Sequence, residues 1–557
     1  MCGIFSIINY ITTQNNSKND SEKYEIIEKS FHRGKGRGPE YSTLEHHEKY
    51  NALIGFHRLA INGLNMESNQ PIIIDDIALI CNGEIYNFKQ LYDMMPFVNK
   101  KTDSDCEVII HLYKHFGMEQ TLRMLDGVFS FILYTSENIY VARDPYGVRP
   151  LYCCLHPGIG QSYFASELKS LTDIQDANFV EQFKPGHYIQ FDRYTNVYNN
   201  NVYYKPTTMS SVSYYKQYHI PSFPTYNDQT IFTEEYYLDT IYRFLKTAVY
   251  KRCCTTERPI ACLLSGGLDS SLIASLVCQY AKEYGLPQVE TYSIGLPDSE
   301  DIKYAKKVAE HIGSKHTEII VSEMDMVASI PKVIEDIESY DTTTVRASIG
   351  NWLIGKYISE HSEAKVIFNG DGSDELCGGY LYMSLCPSSI EFDKETIRLL
   401  NDIYLFDVLR SDKSISSHGL EPRTPFLDKN FVNIYLSIPL AFRHRTDQIE
   451  KYLLRKAFDN KDLLPSEILW RKKEAFSDGV SNKGRSLYQI IQDFIKETHT
   501  PKNNMIILSP IELEKDYYKK IFFDLYPRAG HIVPYYWMPK YTSNTNDPSA
   551  RTLSNYS

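Results

Sequence analysis

No stretch of this 557-residue chain approaches the ~20 consecutive apolar residues that a membrane-spanning helix needs. The apolar run Ile4–Ile8 follows no basic segment and is too short for a secretory signal. There is no block of Lys and Arg, and the net charge is −11, which argues against binding along a nucleic-acid backbone. The 11 cysteines, an odd number with adjacent pairs at Cys153-Cys154 and Cys253-Cys254, show no zinc-site spacing. A secreted disulfide framework is not expected in so large a chain. These absences leave a reduced, cytoplasmic enzyme with small-molecule partners and no nucleic acid or membrane; a homodimer is left open.

What is present divides the chain. Its length suggests about two to four domains. Residues 1–205 read as short strands punctuated by Gly, Asn and Pro, at Cys2–Tyr10, Asn51–Ile61, Ile77–Cys81, Val128–Tyr134 and Ile139–Arg143. A helical pattern over Asp105–Phe116 stops at Gly117. Antiparallel sheets with helices outside would account for this half. Residues 206–233 lack period and read as a linker or insertion. Residues 234–557 open on alternation: strand Pro259–Leu264, helix Leu272–Tyr280, strand Val289–Gly295, helix Ile302–Ile312 closed by Gly313, and strand Lys365–Phe368. Such alternation favours a parallel α/β sheet with ligands at the carboxyl ends of its strands. The stretch from Arg528 is rich in Pro and Tyr and reads as peripheral.

Cys2 is the first candidate for chemistry. Removal of Met1 would leave a thiol and a free α-amine on one residue. An α-amine titrates near ~8 against ~10.4 for lysine, so it can take the thiol proton near neutral pH.

The second candidate follows strand Pro259–Leu264: Ser265-Gly266-Gly267-Leu268-Asp269-Ser270-Ser271. Two glycines allow a sharp turn, three serines add hydroxyl donors, and the next helix points its positive end at the same spot, so an anion is expected. The loop lacks the Gly-Lys-Ser/Thr ending that grips β- and γ-phosphates, which suits cleavage between the α- and β-phosphates. Asp269 offers a carboxylate to Mg²⁺, and Asp374, in the acidic turn Asn369-Gly370-Asp371-Gly372-Ser373-Asp374-Glu375, is suited to share it.

Together these segments resemble the glutamine-dependent asparagine synthetases of the bacterial B type along almost the entire chain. Cys2-Gly3-Ile4, Arg37-Gly38-Pro39-Glu40, Arg58-Leu59-Ala60-Ile61-Asn62, Asn82-Gly83-Glu84 and Ser104-Asp105-Cys106-Glu107 match the family's glutaminase segments. The resemblance implies an N-terminal nucleophile αββα sandwich followed by a pyrophosphatase-loop synthetase domain. It makes Cys2 the nucleophile and Asn82 with Gly83 the oxyanion hole. Glutamine would be held by Arg58, Leu59, Ala60, Ile61 and Asn62, with Glu84 or Asp105 taking its ammonium. ATP would be bound by Leu263, Ser265, Gly266, Gly267, Asp269, Ser270, Ser271, Ile294, Asn369 and Gly370.

Further matches are Tyr340–Ser348, Glu421–Asp428, Glu450–Arg455 and Lys473–Gly479. Within them and the acidic turn, the resemblance assigns Thr343, Thr344, Arg346, Glu375 and Arg423 to the aspartate pocket. Lys451 becomes the cation for phosphate charge. Asp371 stands where close bacterial members carry Glu, one methylene longer. The implied reaction joins glutamine hydrolysis at Cys2 to amidation of aspartate through β-aspartyl-AMP. The alternative is a related ATP-dependent amidotransferase or β-lactam-synthetase-like enzyme acting on another carboxylate.

Overall fold

The computed structural model describes residues 1–10, 18–197, 201–208, 210–216, 233–444, 448–474, 476–481, 484–499, 508–542 and 546–552. Most of the expected insertion, residues 217–232, lies outside them. Its described beginning is tied down: Val212–Ser213 pairs with the strand His187–Thr195, and Tyr215 Oη lies 3.0 Å from Tyr146 Oη.

The amino-terminal half stacks two antiparallel sheets. One has the spatial order Glu181–Gln182, Tyr152–Cys154, Ser162–Ala165, Gly3–Ile8, Ala52–Arg58, Tyr41–His47. The other runs Val202–Pro206, His187–Thr195, Asn138–Arg143, Gly127–Tyr134, Ile77–Ile85, Ile72–Ile74, with Val212–Ser213 off this path. Side chains alternate across a strand, and the alternation separates the layers. Ile4, Ile8, Ile54 and Phe56 meet Ala78, Ile80, Ile132 and Val141 between the sheets. On one outer face, Phe5, Ile7 and Leu53 pack under Ile27 and Phe31 of the helix Lys18–His32. On the other, Leu79, Cys81 and Phe129 pack under Ile109 and Leu112 of the helix Val108–Met124. This is the expected αββα sandwich. Gly117 does interrupt the helix, at φ 73°, but the chain resumes helical turns to Met124.

The carboxy-terminal half carries a five-stranded parallel sheet in the order Lys315–Ile320, Glu290–Gly295, Ile260–Leu263, Val366–Phe368, Glu421–Arg423. The connections turn from one side of the sheet to the other between Ile260–Leu263 and Val366–Phe368. A crevice opens outside the carboxyl ends of strands at such a switch point. The two halves share apolar cores: Leu59, Tyr86 and Tyr146 pack with Leu245, Leu268 and Phe426. Among the described residues no helix is long and apolar enough to cross a membrane.

Candidate active sites

The amino-terminal site forms where strand Gly3–Ile8 begins beside the ends of Ala52–Arg58 and Ile77–Ile85. Cys2 is half-buried, with Sγ 3.7 Å from Leu59 O, and burial pushes its thiol pKa up. The Cys2 carbonyl accepts from Arg37 Nε at 3.0 Å. Met1 is buried, and burial lowers its α-amine to about 6.

Asn82 is completely buried, its Oδ1 without a partner and its Nδ2 at 3.4 Å from Ser166 Oγ. The same Ser166 hydroxyl accepts from Ile4 N at 3.0 Å, which ties the Asn82 amide to the strand that starts at the thiol. Gly83 sits so close to the neighbouring strand that a Cβ would stand 2.5 Å from Val128 O.

Arg58 is buried and donates to Gly63 O, Asn65 O and Asn69 Oδ1; among the described residues no carboxylate pairs with it. A buried guanidinium whose partners are all neutral is a seat for an incoming carboxylate. Asp105 and Glu84 supply the opposite charge. Asp105 accepts from Ile85 N at 2.6 Å and is raised to about 6, chiefly by burial. Glu84 accepts from Asn62 Nδ2 at 2.6 Å and is raised well above the usual carboxylate range by burial and by Asp105. Ala60 N donates to Glu40 Oε2 at 2.7 Å, while Leu59 and Ile61 pack in the shared core.

The carboxy-terminal crevice is lined by Leu263, Ser265, Gly267, Asp269, Ser270, Ile294, Asn369 and Gly370, and by Asp371, Asp374, Glu375, Lys451 and Thr343. Glycine is required where its two loops meet. Gly266 has φ 72°, and a Cβ there would lie 2.5 Å from Ala305 N; a Cβ on Gly370 would lie 2.7 Å from Ser270 N. Ser271 is buried under the loop, its hydroxyl without a partner, and does not line the crevice.

At the centre, Lys451 Nζ lies 2.6 Å from Asp269 Oδ2 and 2.5 Å from Asp374 Oδ1. Lys451 is buried and holds a left-handed backbone at φ 56°. Burial opposes the charge on Asp374, but Lys451 and Lys473 together hold its carboxyl well below the usual range. Asp371 Oδ1 pairs with Arg410 Nη2 at 3.2 Å. Glu375 accepts from Tyr380 Oη at 2.5 Å and is raised by burial and by neighbouring Asp407.

Three residues expected in the aspartate pocket do not line the crevice. Arg346 forms a two-pronged pair with Glu514 at 2.8 and 2.6 Å and another with Asp547 at 2.7 and 2.8 Å, away from the crevice lining. Arg423, completely buried, bonds to Glu421 at 2.8 Å, to carbonyls of Arg252 and Thr255, and stands 3.5 Å from Glu84. Its approach to Glu84 of the amino-terminal half braces the join between the halves. Thr344 is likewise buried against Asp341, its hydroxyl donating at 2.8 Å. Sequence reasoning missed Arg410 and Tyr380 and gave Lys473, which opens a matched segment, no role in the crevice; the run Arg471-Lys472-Lys473 was a visible signal for it.

A family model described as "Glutamine amidotransferase domain" matches residues 1–209, and one described as "Asparagine synthase" matches 240–390 and 386–514. "Asparagine synthetase [glutamine-hydrolyzing]" of Rattus norvegicus is 41% identical over 542 residues, covering 93% of this chain and 94% of that protein. The proteins of the same description from Gallus gallus and Homo sapiens are 42% and 39% identical, with the same coverage. With this likeness across both halves, the chain belongs to the glutamine-hydrolysing asparagine synthetases.

Proposed function

We propose that this protein converts aspartate to asparagine with nitrogen taken from glutamine and energy from cleavage of ATP to AMP and diphosphate. Residues 1–205 form the glutaminase domain and 234–557 the synthetase domain in this reading. The observation that carries it is the Asp269–Lys451–Asp374 bridge between two strand-end loops, in the same chain as a thiol beside a buried guanidinium that pairs with no carboxylate among the described residues.

In the glutaminase site the α-carboxylate of glutamine pairs with Arg58 and its ammonium with Asp105 and Glu84. Once Met1 is removed, the Cys2 α-amine takes the thiol proton and the thiolate attacks the side-chain amide. Asn82 Nδ2 and Gly83 N–H receive the oxyanion, where losing one such donor typically costs about 10²–10³ in rate. The tetrahedral intermediate expels ammonia, which takes back the proton held by the α-amine, and a glutamyl thioester remains that water hydrolyses to glutamate and the free thiol.

In the synthetase site the aspartate side-chain carboxylate attacks the α-phosphorus of ATP, forming β-aspartyl-AMP and diphosphate. Lys451 turns from its carboxylates to the phosphate charge, and the loop from Ser265 to Ser271 cradles the leaving diphosphate. Ammonia then displaces AMP. Among the described residues no three His, Cys, Asp or Glu gather to hold a metal. Asp269 and Asp374, which face each other across Lys451, are the carboxylates that would hold Mg²⁺. When bound, it supplies charge neutralisation to the leaving diphosphate. A cytoplasmic setting belongs to the same reading, supported by the 11 cysteines being free.

Mass spectrometry of the products from glutamine, aspartate and ATP, together with the mass of the mature amino terminus, tests the proposal. Asparagine, AMP and an N-terminal Cys2 are expected. Asparagine made from glutamine by protein that wholly retains Met1 would overturn the role of the α-amine.

A further inference from the structure

The matched asparagine synthase segment ends at residue 514, and the stretch from Arg528 reads from sequence as peripheral. The structure draws that stretch across the synthetase half instead. Tyr340 Oη donates to Gly530 O at 2.7 Å. Trp537 N donates at 2.7 Å to Asp341 Oδ1, whose other oxygen caps the helix Thr342–His361. The Trp537 side chain is buried, with its ring centroid 5.2 Å from that of Tyr380. Farther on, Asp547 takes Arg346, Ser549 Oγ donates to Asp478 Oδ1 at 3.1 Å, and Arg551 reaches Ser486 Oγ at 2.8 Å.

Two lines of contact run from this strap to the two loops of the crevice. Along the first, Arg551 Nη2 lies 2.6 Å from Glu474 Oε1, and Glu474 Oε2 lies 3.3 Å from Arg471 Nη2. Arg471 Nη1 then donates to Gly266 O at 3.1 Å, in the phosphate loop itself. Along the second, Trp537 packs on Tyr380, whose hydroxyl donates to Glu375 at 2.5 Å and stands 3.1 Å from Asp407 Oδ2. Glu375, a buried carboxylate on the crevice wall, suits the ammonium of an amino-acid substrate.

We propose that Arg551 and Trp537 are positioning residues of the synthetase reaction, Arg551 setting the phosphate loop for ATP and Trp537 setting the Tyr380–Glu375 wall for aspartate. Neither touches substrate. The proposal rests on the function given above and adds the carboxy-terminal strap to its site.

The full-length protein carrying Arg551→Ala or Trp537→Ala is assayed for ammonia-dependent asparagine formation over ranges of ATP and of aspartate. Glutamate release by the other half reports that each variant is folded. Loss of one charge-assisted contact corresponds to about a tenfold change. Arg551→Ala is expected to raise the KM for ATP by that factor with little change for aspartate, and Trp537→Ala the reverse. Arg551→Lys and Trp537→Phe keep the charge and the ring, and are expected to restore most of each loss; they also carry the test should an alanine variant fail to fold. Unchanged KM values, or both values rising together in each variant, would overturn the positioning roles. Failure of the wild-type protein to make asparagine would instead overturn the proposed function.

Discussion

Arg37 Nη1 of the glutaminase half lies 2.7 Å from Asp412 Oδ2 of the synthetase half. The same guanidinium pairs with Glu167 at 2.7 Å, and its Nε holds the Cys2 carbonyl. Asp412 stands on the helix Asp407–Ser416, whose first turn carries Asp407 and Arg410 into the nucleotide crevice. One buried arginine and one helix therefore join Cys2 to the other site.

Replacing Arg37 by Met would leave buried carboxylates short of a partner, which costs about 3–5 kcal/mol in such settings. Arg37→Met is expected to lower thermal stability and to reduce glutamine-dependent synthesis more than ammonia-dependent synthesis. Calorimetry and parallel assays with the two nitrogen sources check this.

Cys2→Ala removes the thiol proposed as nucleophile and does not touch the crevice lining. It is expected to abolish asparagine formation from glutamine while ammonia still supports it. Equal loss with both nitrogen donors would break the two-site description.

Asp269→Asn takes a negative charge from Lys451 and from the place where Mg²⁺ would bind. Diphosphate release is expected to disappear, with glutamate release unchanged. A diphosphate-release assay beside a glutaminase assay reads both.

Asp105 is raised from 3.8 to about 6, chiefly by burial. The folded protein therefore keeps this proton to higher pH than the unfolded chain does. Ionisation of Asp105 accordingly subtracts stability as pH rises through that window. Binding runs the other way, because only the ionised carboxylate attracts the ammonium of glutamine. The KM for glutamine is expected to fall as pH rises toward about 7 and then level off. A KM independent of pH across that range would contradict the role of Asp105.

Much of this was legible along the chain. The strand before Ser265 and the helix after it follow from a short apolar run, two glycines and a periodic apolar face, all local signals. The strand Tyr41–His47 was less legible, since it is a half-exposed edge strand carrying Glu45, His46 and His47 without an apolar alternation. The helix Lys18–His32 commits Ile27 and Phe31 to the core amid many polar residues, a thin signal for a helix. Arg346 and Arg423 were placed in the correct neighbourhood but not in the crevice, because a motif names a residue without giving the direction of its side chain.

Taken by itself, the amino-acid order determined the chemistry on offer: a thiol at position 2, a glycine- and serine-rich turn after a buried strand, and an acidic turn after another. Periodicity and turn preference act over a few residues, so these features needed no knowledge of the whole. Only the tertiary structure decided which charges meet. Lys451 finds Asp269 across 182 residues of chain, and Arg346 finds Asp547 across 201. Such pairings follow from how the two halves and the carboxy-terminal strap pack, since burial makes each charge seek an opposite one that no local pattern specifies.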